Sequence, residues 1–301
     1  QGIMSVIHAL TDRNDFLIYD ELSHACIVDG KQLSMADKSV FKHNDIESFK
    51  KQLFRAASKK KDNSSILVIT EGVFGMTGNL GKIREIAELK KKFNFRLFVD
   101  DAHGFGTMGK TGAGSGEELE CQDQIDLYFS TFAKSMAAIG AFVAGDKEII
   151  KFLKYNMRSQ IFAKSLPMPL VIGALKRLSM LRDDPSHKER LWTIVNALQS
   201  GLKEKGFSIG TTESCVTPVV LNGTVGEAAA LSKDLRENFN IFCSVVIYPV
   251  VPKGMIILRL IPTASHTLED VSETIAAFEA IKGKLKSGEY KKEELALSFG
   301  E

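Results

Sequence analysis

No apolar run in this chain approaches the roughly 18–20 residues that a membrane-spanning helix needs. The longest, such as 137–145 and 244–252, stop far short, which excludes an integral membrane protein of the helical kind. Net charge is nearly absent as well. Lys and Arg number 39 against 37 Asp and Glu, leaving +2, so no strong field draws the chain to nucleic acid or to an anionic membrane, and a small-molecule partner is expected. Cysteine is scarce and scattered. Cys26, Cys121, Cys215 and Cys243 stand far apart without a CxxC pair, which speaks against a disulfide framework or a zinc site and for free thiols in a reducing cytoplasm. The opening QGIMSVIHAL lacks the basic start and cleavage site of a signal peptide and reads as a segment entered in mid-helix. Internal repeats and low-complexity tracts are missing too. What is there is ordinary globular composition, 44% hydrophobic and 25% charged, over 301 residues, a length that suits two domains or one large α/β domain.

Through the first half, strand-like and helix-like stretches alternate, the signature of a parallel sheet covered by helices. Residues 45–60 place Ile46, Phe49, Leu53 and Ala56 on one face and lysines on the other, predicting an amphipathic helix. Residues 66–70 (ILVIT) read as a buried strand, 80–93 as a helix and 95–99 (FRLFV) as the next strand; 127–129 and 141–144 are short runs that extend the sheet. Helices are expected over 148–159 and 169–182, broken by Pro167 and Pro169. After the turn signal DDPSH the rhythm changes to a small α+β unit, which puts a large domain at 1–185 and a small one at 186–301. The basic tail 284–292 reads as solvated surface.

Chemistry concentrates in two segments. In LFVDDAHGFGTMG (97–109) an apolar strand runs into two acids, a histidine and a glycine-rich loop. Ligands of parallel α/β sheets bind beyond the carboxyl ends of strands, and a carboxylate buried there, Asp100, demands a cation. Taken alone, helix capping explains Asp100 and Asp101 equally well, and His103 reads as a satisfied core histidine. In STFAKSMAAIG (130–140), Lys134 stands among small and hydroxylated residues, a setting that depresses a lysine pKa and permits a Schiff base, while Ser130 and Thr131 offer hydroxyls to a phosphate. A strand-end Asp, a His three residues on and a Lys 34 residues after that Asp together meet the demands of pyridoxal phosphate: a pyridinium partner, a ring-hydroxyl contact and an imine nitrogen.

With these residues in view, the chain resembles the α-oxoamine synthases, fold-type-I pyridoxal-phosphate enzymes. The resemblance runs along essentially the whole chain through DELSHACIVDG (20–30), FKHND (41–45), TEGVFGMTG (70–78), VDDAHGFGTMGKTGAG (99–114), STFAKS (130–135) and LRLIPTASHT (258–267). Within the family, TFAKS, GVFGM and RSQIFAKSLP (158–167) look most like the bacterial serine palmitoyltransferases. The resemblance implies a three-layer αβα domain with a mostly parallel sheet plus a smaller C-terminal α+β domain. It implies that His24 stacks on the cofactor ring and meets the substrate carboxylate, that Asp100 pairs with the pyridinium nitrogen and that His103 contacts the ring hydroxyl. Lys134 would form the Schiff base and act as the base, Thr131 and Ser130 would bind phosphate, and Arg259 would clamp the substrate carboxylate with its two-pronged donor geometry. Without the resemblance, His24 reads as a surface-loop histidine and Arg259 as an edge-strand charge.

Two departures from the family pattern stand out. Gly75 occupies a position where many relatives carry a serine that bonds the cofactor, and the phosphate loop that the family places just before the segment matching Gln1 is not in the chain, which therefore reads as lacking an N-terminal portion. The expected reaction is decarboxylative condensation of L-serine with palmitoyl-CoA to 3-oxosphinganine. The alternatives are the glycine C-acetyltransferase or 8-amino-7-oxononanoate synthase type, or a non-catalytic scaffold subunit; the presence of Lys134 speaks against the scaffold. A cytoplasmic homodimer with shared active sites is expected, with the segment around Ser165 contributing in trans.

Overall fold

The computed structural model describes residues 1–248 and 250–291. These divide into two compact units, one of residues 1–75 and 80–185, the other of 76–79 and the chain from 186 onward.

The first unit is built on a six-stranded sheet of β1 (Phe16–Asp20), β2 (Asp37–Phe41), β3 (Ile66–Glu71), β4 (Arg96–Asp100), β5 (Leu127–Thr131) and β6 (Ala141–Gly145), in the order β2-β1-β3-β4-β5-β6. All neighbours are parallel except β6, which runs antiparallel to β5. Alternate side chains of the central strands enter separate cores. Ile18, Val68, Leu97 and Val99 pack with Phe49, Leu53 and Ala56 of α3 (Ile46–Lys59) and with α4 (Ile83–Glu88). Leu17, Ile69 and Phe98 pack with Ile3, Val6 and Ile7 of α1 (Gly2–Leu10), Ile27 of α2 (Ala25–Leu33) and Leu153 of α6 (Lys147–Asn156). Strands buried on both faces must be apolar through their bodies, as Phe16–Ile18 of β1 and Ile66–Ile69 of β3 are, and the result is the expected three-layer αβα arrangement. Asp45 caps α3 by accepting from the Ser48 N–H at 2.9 Å, so the periodicity over 45–60 marked that helix to within a residue.

Elsewhere the structure departs from the pattern. The helix expected over 80–93 is only α4, tightening at Leu89–Lys91 into a 3-10 turn where the lysine run has no apolar face to bury. The helix expected over 148–159 breaks at Met157, whose extended backbone separates α6 from the single turn α7 (Arg158–Ile161). After α5 (Ser115–Glu118) in the loop region and these helices, the unit closes with α8 (Met168–Asp183), which buries no residue fully and leaves Met168, Ile172 and Leu175 at least 60% exposed.

The second unit is α+β. Its sheet, β7 (Thr217–Asn222), β8 (Ser244–Val246) and β9 (Met255–Leu260), is antiparallel in the order β7-β9-β8 and packs on α9 (Ser186–Glu204), α10 (Val225–Asn238) and α11 (Leu268–Ser287). Both α10 and α11 begin with capping boxes, Thr224 with Glu227 and Thr267 with Asp270. Residues 76–79 group here through hydrogen bonds such as Asn79 Nδ2 to the Thr211 carbonyl at 2.7 Å. Part of the basic tail is structural: Lys284 meets the buried Asp234 at 2.8 Å, and Asp234 also accepts from Tyr290, so the tail is not simply solvated. Lys292, its last lysine, lies outside the described residues.

Candidate active site

The strand order reverses between β1 and β3, and in an open parallel sheet the crevice at the carboxyl ends beside such a reversal is where ligands bind. His24 follows the end of β1, Glu71 ends β3 and Asp100 ends β4. Glu71 and Asp100 face each other in register on adjacent strands, and both are 5% exposed. Two carboxylates so buried cannot both ionise cheaply. Burial, then the charge of Asp100, pushes Glu71 up to about 8, and burial pushes Asp100 up to about 6 while Lys134 pulls it back. The cation that a buried Asp100 demanded is therefore Lys134, whose charge also acts on Glu71.

Lys134 lies in the turn between β5 and β6 and is exposed rather than enclosed, which corrects the expectation of a tight small-residue setting. The turn is held by Thr131, whose Oγ1 donates to the Gly140 carbonyl and accepts from the Ala133 N–H, both at 3.1 Å. Ser130 points the other way. It is fully buried with Oγ donating to the Asp101 carbonyl at 3.3 Å, so alternation along β5 turns only the Thr131 hydroxyl outward, and the phosphate role expected of Ser130 finds no support.

His24 is exposed and caps α2. Its Nδ1 accepts from the Cys26 N–H at 3.2 Å and lies 3.0 Å from Cys26 Sγ, while the main-chain N–H of His24 donates to Glu71 Oε1 at 2.5 Å. Burial, and after it Asp100 and Glu71, push the Cys26 thiol up to about 12. His103, half-buried in the turn after Asp100, stands against Gly75: a Cβ at Gly75 would overlap ring atom Nε2 and lie 2.8 Å from Cδ2. What Gly75 supplies is room for His103.

Asp101 has a different task from its neighbour. Fully buried, it accepts from Ser115 N at 2.7 Å, Ser115 Oγ at 2.5 Å and Tyr128 OH at 2.7 Å. Gly72, Gly104 and Gly114 all press on its carboxylate so closely that a Cβ on any of them would collide with it. The capping explanation thus holds for Asp101, as anchor of the loop after β4, and in part for Asp100, whose Oδ1 accepts from the Ala102 N–H at 3.1 Å.

Arg259 belongs to the second unit. It sits on β9, the central strand of its sheet, which corrects the edge-strand reading; it is half-buried, with Nη1 3.8 Å from Met76 Sδ, and burial lowers its pKa. Sequence reasoning missed Glu71 and Cys26. The signal for Glu71 was the one that singled out Asp100, an acid ending an apolar strand; nothing local marked Cys26.

These residues fit pyridoxal phosphate. Two strand-end carboxylates share one lysine, Asp100 offers a partner for a protonated ring nitrogen, and the close fit of His103 on Gly75 holds an imidazole beside it. Comparison with known proteins agrees. The family model for aminotransferase class I and II matches residues 1–278. The chain is 57% identical to cysteate-C-fatty acyltransferase of Capnocytophaga ochracea over 97% of its own length and 70% of that protein's. It is 38% identical to serine palmitoyltransferase of Bacteroides ovatus, covering 92% of this chain and 70% of the relative. The structure of Sphingomonas wittichii serine palmitoyltransferase superposes with a TM-score of 0.86 at 30% identity, over 93% of this chain and 69% of that one. Fold and site together define a fold-type-I pyridoxal-phosphate transferase. The chain belongs to the α-oxoamine synthase family of acyltransferases.

Proposed function

We propose that this protein condenses a fatty acyl-CoA with L-cysteate, with loss of carbon dioxide. The observation that carries this reading is the 57% identity to a cysteate-C-fatty acyltransferase across 97% of the chain, against 38% for a serine palmitoyltransferase of comparable coverage. L-serine with palmitoyl-CoA is the second reading, favoured by the backbone match to serine palmitoyltransferase structures at a TM-score of 0.88. Turnover of cysteate, serine, glycine and alanine, each with palmitoyl-CoA and acetyl-CoA, tests both. Preference for serine over cysteate refutes the first reading, and preference for glycine or alanine with acetyl-CoA refutes both.

Pyridoxal phosphate, when bound, supplies an aldehyde for amines and an electron-poor ring that accepts the electron pair left at Cα. In this reading Lys134 would hold the cofactor through Nζ, and the same atom would take the Cα proton. Asp100 would keep a proton at the ring nitrogen, His103 would hydrogen-bond the ring hydroxyl and Thr131 would bind phosphate. His24 and Arg259 bind the amino-acid carboxylate. A Lys134→Ala variant should lose both covalent cofactor attachment and turnover, and turnover near wild type refutes the assignment. Assembly as a homodimer belongs to the same proposal. The exposed apolar side chains at the end of α7 and along α8, with Phe162 73% and Leu175 63% exposed, are the kind of surface that a second subunit covers.

A further inference from the structure

A neutral imidazole has one donor nitrogen and one acceptor, and which is which follows from what its nitrogens meet. At His24 the answer is set by a group that cannot change roles. A backbone N–H only donates, so Nδ1, which accepts from the Cys26 N–H at 3.2 Å, carries the lone pair. The Cys26 thiol lies 3.0 Å from the same nitrogen, and burial above all, with the nearby acids adding to it, holds it as S–H, a second donor to that lone pair. On the other side, Glu71 Oε1 accepts the main-chain N–H of His24 at 2.5 Å and fixes the backbone from which the ring springs.

We infer that the first turn of α2 and the end of β3 lock the tautomer of His24: Cys26 holds Nδ1 as acceptor through its N–H and thiol, Glu71 holds the backbone, and the ring proton resides on Nε2. Cys26 and Glu71 are positioning residues. The consequence is chemical. A ring with its proton on Nε2 and its lone pair occupied at Nδ1 donates outward and has no spare acceptor, so His24 orients an anionic oxygen and does not serve as the base. The inference rests on the proposed function only for what Nε2–H faces.

The test uses the full-length protein, with and without pyridoxal phosphate, labelled with 15N in the histidine rings, the His24 signals being assigned by their disappearance in His24→Gln. Two-bond 1H–15N spectra should show a pyrrole-like Nε2 and a pyridine-like Nδ1. Cys26→Ala keeps the backbone N–H and loses only the thiol donor, so both signals should move part of the way toward the average of the two tautomers and Cα proton exchange should fall roughly fivefold; Cys26→Ser, with a hydroxyl to donate, should restore both. Glu71→Gln, still an acceptor, should keep the wild-type ring signals, and Glu71→Leu should shift them. A pyrrole-like Nδ1 in the wild type overturns the lock. Ring signals unchanged in Cys26→Ala or in Glu71→Leu overturn the part given to that residue. Turnover of serine instead of cysteate would leave every one of these spectra unaltered, so failure of the substrate reading and failure of the lock are distinguishable.

Discussion

Replacing Glu71 by Gln should make the protein's stability less dependent on pH, and the structure sets the size of the effect. Burial first, and then Asp100, raise the Glu71 pKa from 4.5 to about 8. The folded state therefore keeps a proton that the unfolded chain releases, so this contribution to stability is fully present below about 4.5, declines as pH rises and is lost above about 8. Asp100, raised to about 6, adds a slope of the same sign at lower pH, which leaves the window from about 6 to 8 to Glu71. Two pH units at about 1.36 kcal/mol each give a loss of at most roughly 2.7 kcal/mol across that window. The amide introduced by Glu71→Gln would mimic the protonated acid, keep an oxygen for the His24 N–H and have no proton to lose. Urea unfolding of the cofactor-free protein, followed by circular dichroism at pH 6, 7 and 8, measures the difference. Stability of the wild type should fall relative to Glu71→Gln by that order. Parallel profiles would show that Glu71 is already ionised at pH 6 and would refute the account of the carboxylate pair.

Asp100→Asn should weaken cofactor binding and slow deuterium exchange at the substrate Cα, because a neutral ring nitrogen is a poor electron sink; unchanged exchange removes Asp100 from that role. Gly75→Ala should drive His103 from its place, costing about 1–3 kcal/mol of stability if the ring cannot withdraw and weakening cofactor affinity if it does. Thermal unfolding together with a pyridoxal phosphate titration checks this, and wild-type values in both contradict the contact. Arg259→Ala should raise the amino-acid KM by roughly 10- to 150-fold, the equivalent of ~1.5–3 kcal/mol for a charged hydrogen bond, with little change for the acyl donor. A defect confined to acyl-CoA excludes the carboxylate clamp.

Much of the site could be read from local sequence because its chemistry sits at strand ends, where an apolar run meeting an acid or a lysine is visible in a few letters. Asp100 and Lys134 were found that way. What escaped depends on contacts across long separations. Glu71 is tied to a backbone N–H 47 residues away, and Asp101 is distinguished from Asp100 only by which way alternation turns each side chain. The same alternation separates Thr131 from Ser130. The strand β2 went unread because its sequence, DKSVF, is largely exposed and carries little apolar pattern. The placement of Arg259 at the centre of its sheet followed from the pairing of β9 with both β7 and β8, which no property of MIILRL announces.

The anchoring of Asp101 bears on how such a protein can change. Its partners Ser115 and Tyr128, and the three glycines pressed against it, all lie within the first unit, and none is among the groups proposed to meet the amino acid. The loop that presents Asp100 and His103 is thus made rigid by contacts that owe nothing to the substrate. Substitutions that leave these contacts alone do not unsettle the anchor. One inherited frame can then be retuned from one amino acid to another by a few substitutions, while a methyl group added at Gly72, Gly104 or Gly114 would damage it for every substrate alike.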